Sequence, residues 1–157
     1  MAVGAGVVEF GADIEVLQER ENCNEPVADL RVRGRAELRS EAAENILRGE
    51  IIANLIDEIP ILAVFGTQLA GGLEVRDAAE LRVKESDRIE MVVNGLRGLG
   101  ADIEGTADGF VVTGTGGLRG GTIDSAGDHR MAMLGAIAGM ASLEGVDVTG
   151  MEAADVS

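Results

Sequence analysis

The chain is nearly devoid of aromatic residues, with three Phe, no Trp and no Tyr in 157 positions. Its core must therefore be built from Ala, Val, Ile, Leu and Met. The stacking platforms that hold single-stranded nucleic acid are excluded with them. Cys23 is the one cysteine, so the chain can form no internal disulfide and no paired-cysteine metal or redox site. His129 is the one histidine, which excludes a histidine-cluster metal site. Lysine is almost absent too: Lys84 stands beside twelve arginines. No run approaches the roughly 18 apolar residues of a membrane span, and no charged-then-apolar leader opens the chain. A reducing cytoplasm is the simplest location consistent with these absences.

What is present is acid. The formal net charge is −15 and the pI about 4.3. A phosphate backbone or an anionic membrane needs clustered cations, so neither is an expected partner. A phosphorylated small molecule would have to be gripped by a local positive cluster inside a negative field. An acidic, lysine-poor surface suits concentrated salt, where screening removes self-repulsion. A GC-rich genome, favouring Arg, Ala and Gly, yields the same bias. With 46% hydrophobic and 26% charged residues the composition is that of a globular chain.

The sequence repeats itself. Gly11-Ala12-Asp13-Ile14-Glu15 recurs as Gly100-Ala101-Asp102-Ile103-Glu104. A second strand-like run follows each copy, Asp29 to Val32 and Phe110 to Val112. Each half then has a long apolar stretch, from Ile59 to about Leu69 and from Met131 to about Ala141. An alternating strand closes each, at Leu73-Glu74-Val75 and Val146-Asp147-Val148. Two copies of one supersecondary unit are expected, 1–84 and 85–157.

Helical spacing of Ile89, Val92, Val93, Leu96 and Leu99 predicts a helix from Asp87 to Leu99. Ser86 is the expected cap, with Gly98 and Gly100 as the stop. The segments after Asp57 and after Asp128 are apolar nearly all round. They predict buried helices, with Pro60 in the first turn of one and Gly135 and Gly139 in the other marking close helix packing. Ser40 to Leu55 is an amphipathic helix candidate. Strands and helices in this order predict an α+β fold of mixed sheets covered by helices.

Two short runs carry the chemistry. Arg82-Val83-Lys84-Glu85-Ser86-Asp87-Arg88 and Gly127-Asp128-His129-Arg130 each put cations, a carboxylate and a hydrogen-bonding group where a helix begins. Such a set can grip a small polyanion and move a proton on it. Together with Leu55-Ile56-Asp57-Glu58-Ile59-Pro60, these runs resemble the enolpyruvyl-transferase family, in its branch acting on shikimate 3-phosphate. The resemblance runs nearly end to end and is strongest from Leu55 to Ser157. It implies about two βαβαββ units of the second domain of an inside-out α/β barrel. A further catalytic lysine beyond Ser157, and a first domain with its own phosphosugar loop, lie outside the match. The chain is therefore expected to hold one wall of a two-walled site.

The implied reaction transfers the enolpyruvyl group of phosphoenolpyruvate to the 5-hydroxyl of shikimate 3-phosphate and releases phosphate. It needs no metal or cofactor where arginine and lysine bind the anions. By the resemblance, Asp57 is the base at the substrate hydroxyl and Glu85 carries the proton to and from the enol methylene. Lys84 contacts substrate, Arg88 and Arg130 clamp phosphoenolpyruvate, and His129 orients the enolpyruvyl group. Asp128 is expected as a helix cap, and Arg82 as an orienting residue outside the site. One tension is physical. Glu85 beside Lys84, Arg82 and Arg88 should hold its charge, whereas a proton donor needs a raised pKa.

The sister branch acting on UDP-N-acetylglucosamine shares the fold but lacks the Lys-Glu-Ser run. It uses a reactive cysteine in its first domain, and Cys23 sits in no such context. An RNA 3′-phosphate cyclase with the same unit is disfavoured by the acidic charge and missing aromatics. The remaining alternative is a non-catalytic folding or interaction module, whose uncovered edges would promote self-association.

Overall fold

The computed structural model describes residues 13–34, 38–39, 45–114 and 116–156. Gly11 and Ala12, the start of the first repeat copy, lie outside them, as do residues 40–44 of the helix candidate.

Strands β1 (Asp13–Asn22) and β2 (Glu25–Arg33) form an antiparallel hairpin. Its two-residue turn, Cys23-Asn24, has positive φ at both positions, as the twist of a tight hairpin demands. One face carries the ion pairs Glu15–Arg31 and Asp13–Arg33, and the other leaves Val16, Leu30 and Val32 exposed. In the second copy β7 (Asp102–Gly105) and β8 (Phe110–Thr113) are also antiparallel, joined by a longer loop over 106–109.

Each half then places a helix between parallel strands. In the first, β3 (Leu38–Arg39) and β4 (Ile46–Leu47) precede helices α1 (Glu50–Leu55) and α2 (Ile59–Gln68). Strands β5 (Leu69–Ala70) and β6 (Leu73–Val75) follow, and β3 pairs with β5 as β4 pairs with β6, both in parallel. After a 3₁₀ turn (Ala79–Val83), helix α3 (Arg88–Gly98) leads into β7 and β8. In the second half, β9 (Gly121–Asp124) and β10 (Val146–Thr149) are parallel around helix α4 (His129–Ala141). The four-stranded sheet runs β4-β6-β8-β7, mixed in direction.

Helices α2, α3 and α4 meet one another beneath these sheets. Helix α2 buries Ile59, Leu62, Ala63 and Val64, and α4 buries Met131, Ala132, Leu134 and Ala138. This is why neither has a polar face. Phe110 is the one fully buried aromatic among the described residues, and aliphatic side chains fill the rest of the core.

Three local expectations are corrected. The segment before Leu55 is not one helix: Ile46–Leu47 is strand, and the helix starts at Glu50. Asn45 draws the chain into the sheet, its amide donating to the Ala70 and Gly72 carbonyls and its carbonyl accepting from the Glu74 N–H. Asp87, not Ser86, caps α3, accepting from the Glu90 N–H at 3.0 Å. Gly135 admits strand β10 rather than a helix, since a Cβ there would lie 2.7 Å from Val148 Cγ2.

Gly66 does the same for β6, where a Cβ would come 2.8 Å from Leu73 Cβ, an atom fixed to backbone. Gly66→Ala is therefore expected to destabilise by about 1–3 kcal/mol through overpacking. Gly95, inside α3, has only ordinary contact with Ile123. Gly95→Ala should stabilise by about 0.5–1 kcal/mol, because alanine loses less backbone entropy in a helix. Urea unfolding of both variants checks the opposite signs.

Candidate active site

Three helix N-termini converge at one end of the buried layer. Asp57 and Glu58 precede α2, Lys84 to Asp87 precede α3, and Asp128 precedes α4. The positive ends of the helix dipoles and their free N–H groups make this end of the molecule receptive to anions. The side chains there form one network.

Arg88 is its centre. The side chain is 1% exposed, and so is that of Asp128. The guanidinium donates through Nε to Asp128 Oδ2 at 2.9 Å and through Nη2 to Asp128 Oδ1 at 3.2 Å, a side-on bidentate pair. Its Nη1 donates to Asp57 Oδ1 at 2.9 Å and its Nη2 to Glu85 Oε2 at 2.6 Å. Asp57 and Glu85, half-exposed, thus sit on the outer end of one cation, while Asp128 holds its buried side.

Asp57 is not a cap. Glu58 occupies the cap position of α2 and makes no side-chain cap bond. Lys84 Nζ lies 2.7 Å from Glu80 and 3.9 Å from Asp57, and the hydrogen bond to Glu80 raises its pKa against opposing burial. Arg130 pairs with Glu58 at 3.0 Å. Its Nε is shut off from solvent and has no hydrogen-bond partner among the described residues. His129 opens α4 and is half-buried. Arg82 stands apart, bonded to Asp87 and to the carbonyls of Thr106 and Ala107, so it orients the α3 cap.

The structure therefore gathers Asp57, Lys84, Glu85, Arg88 and Arg130 at one end, with His129 beside them. Reading the sequence missed Glu58 and Glu80, the carboxylates on Arg130 and Lys84. The sequence marks Ser86 as a cap and not its partner: its hydroxyl donates to Asp128 Oδ2 at 2.7 Å across 42 residues of chain. Glu80 and Lys84 are an i,i+4 pair that local spacing marks; the Glu58–Arg130 and Ser86–Asp128 pairs exist only because helix starts converge. Among the described residues no cluster of His, Cys, Asp and Glu could hold a metal ion.

Burial works against both charges of the Arg88–Asp128 pair, and the bonds between them overcome it. Arg88 is raised above its ordinary value, and Asp128 is held below 3.8 by Arg88, Ser86 and the Arg130 N–H. A carboxyl depressed in the folded state stabilises the fold above its unfolded pKa, and loses that contribution as pH falls through the folded value. Acidification from neutrality first relieves the −15 self-repulsion. Stability should then fall below about pH 4, and Asp128→Asn should flatten that acid limb. Denaturation midpoints from about pH 2 to 7 check the difference between the two proteins.

Buried helices under mixed sheets, with two half-exposed carboxylates and several cations at their joined N-termini, make a domain suited to holding a small anion beside proton-carrying groups. The comparisons are specific. The family description for EPSP synthase (3-phosphoshikimate 1-carboxyvinyltransferase) matches residues 4–157. A 3-phosphoshikimate 1-carboxyvinyltransferase of Desulfitobacterium hafniense is 50% identical over 149 residues, covering 95% of this chain and 33% of that protein. One from Roseiflexus castenholzii is 46% identical over 148 residues, covering 94% and 33%. The solved EPSP synthase of Acinetobacter baumannii superposes with a TM-score of 0.85 at 34% identity, covering 98% of this chain and 35% of that one. The chain belongs to the EPSP synthase family. It spans about a third of the length of the curated relatives it matches.

Proposed function

We propose that this chain supplies one wall of the active site of a 3-phosphoshikimate 1-carboxyvinyltransferase working in the cytoplasm, and that its two repeat units are 1–84 and 85–157. In this reading, Asp57 takes the proton from the 5-hydroxyl of shikimate 3-phosphate as that oxygen adds to C2 of phosphoenolpyruvate. Glu85 delivers a proton to C3, then removes one as phosphate leaves and the double bond re-forms. Arg88 and Arg130 hold the phosphoenolpyruvate anion, Lys84 contacts substrate, and His129 orients the enolpyruvyl group. The observation that carries the reading is the arrangement around Arg88, where the proposed base and proton carrier share one cation at joined helix N-termini.

The cations of the site are paired with Asp57, Glu58, Glu80 and Glu85. Substrate oxygens would replace some of these carboxylates on their cations. Alone, the chain is expected to be inactive. Positioning between two walls supplies about 7–11 kcal/mol of barrier lowering in well-organised sites, and one wall loses most of it.

A second reading, a folding module that self-associates, draws support from Met140 at 79% and Leu143 at 88% exposure, together with the open face of the hairpin. An amide NMR spectrum titrated with shikimate 3-phosphate and then phosphoenolpyruvate separates the two. Saturable shifts confined to Asp57, Lys84 to Arg88 and His129-Arg130 are expected. A dispersed spectrum without shifts at millimolar ligand would favour the module.

A further inference from the structure

The mechanism uses the outer end of Arg88, and its buried side raises a separate question. Asp128 takes Nε and one hydrogen of Nη2, which fixes the plane of the guanidinium and turns Nη1 and the rest of Nη2 toward Asp57 and Glu85. Asp128 is in turn held from two sides. The Ser86 hydroxyl donates to Oδ2, and the backbone N–H of Arg130 donates to Oδ1. Each Asp128 oxygen therefore has a second donor besides Arg88, so the carboxylate can neither rotate nor slide along the fork. Ser86 precedes α3 and Asp128 precedes α4, so their bond locks the starts of two helices in register.

We propose that Asp128, held by Ser86, is a positioning residue that aims Arg88 at both the phosphoenolpyruvate anion and the two proton-transfer carboxylates. This rests on the function proposed above. Asp128 itself touches no substrate: it is 1% exposed and lies behind the guanidinium. A plain helix cap would need one oxygen facing the backbone, and it would not need a buried guanidinium on both oxygens. An arginine pinned this way has lost its rotamer freedom before ligand arrives, which raises its affinity for the anion. The same pinning keeps Asp57 and Glu85 at fixed places around one cation, so their two proton transfers share one geometry.

The test uses the chain labelled with 15N-arginine. Arg88 Nε–H should give a resolved signal exchanging roughly tenfold or more slower than the exposed arginines, as a buried charge-assisted bond requires. Arg88→Lys assigns it by its loss. Asp128→Asn retains the cap oxygen but loses the charge. It should remove the protection and weaken phosphoenolpyruvate binding by roughly tenfold or more, with shikimate 3-phosphate binding altered less than about twofold. Ser86→Ala keeps the carboxylate and the cap, and should give an intermediate loss of protection even if Asp128→Asn folds poorly. Undiminished protection in both variants, or equal weakening of both ligands in a folded variant, would overturn the proposal. If the unaltered chain binds neither ligand yet Asp128→Asn abolishes the protection, the proposed function fails and the aiming of Arg88 by Asp128 stands.

Discussion

Replacing Arg88 by methionine is expected to cost about 3–5 kcal/mol of folding stability, because it leaves an unpaired charge in the interior. Methionine matches the aliphatic stem, so the loss is electrostatic rather than a cavity. Asp128 would keep Ser86 and the Arg130 N–H as donors but lose the cation that outweighs its burial. Its carboxyl would then take up a proton more readily, and with that carboxyl no longer held down by Arg88 the acid limb of the stability profile should flatten, since protonation relieves the stranded charge. Arg88→Lys should be no substitute, since an ammonium cannot span Asp128, Asp57 and Glu85 as the planar fork does.

The double variant Arg88→Met with Asp128→Ser decides whether this reading is right. Serine preserves the helix cap and removes the stranded charge, so the pair should cost less than the sum of the single changes. The coupling should lie within about 0.5–3 kcal/mol. Urea denaturation of the four proteins measures it. Strict additivity would mean that the two residues stabilise the fold independently, contrary to their bidentate contact.

Glu85→Gln, in a polypeptide of the relatives' full length carrying this segment, is expected to lower kcat by about 10²–10⁴. Glutamine has the same shape and can still reach Arg88, but it cannot carry a proton to and from carbon. Affinity for phosphoenolpyruvate should not fall with it. Glu85 pairs with Arg88 Nη2 at 2.6 Å, and removing its charge weakens its competition with the incoming anion. The expected pattern is a large loss in kcat with an unchanged or lower KM. A raised KM with kcat held within a few-fold would place Glu85 among the binding groups and leave the proton step to another residue.

Much of this was legible beforehand. Helices α2, α3 and α4 follow from apolar periodicity and from Pro60, because a helix buried on most faces must be apolar on most faces. The two strand-helix-strand successions follow from the repeat. The family follows from the runs around Asp57, Lys84 to Arg88 and Asp128 to Arg130, since residue types at fixed spacing survive as text.

Other features were not legible, for reasons of distance. Strand β4 looks helical in sequence because its pairing with β6 comes from Asn45 and a strand nearly thirty residues away. Ser86 has the position of a cap, where hydroxyl side chains at helix starts usually serve, yet its partner is Asp128, 42 residues on.

The sequence by itself thus determined which helices are buried and to which family the chain belongs. These are properties of composition and local spacing, set by hydrophobicity and covalent reach. Only the tertiary structure decided which distant carboxylates stand on which cation, whereas Glu80–Lys84 and Glu85–Arg88 are neighbours along the chain. Three helix starts had to meet before Arg88 could hold Asp57, Glu85 and Asp128 at once, and an ion pair exists only where packing brings its two charges within a few ångströms.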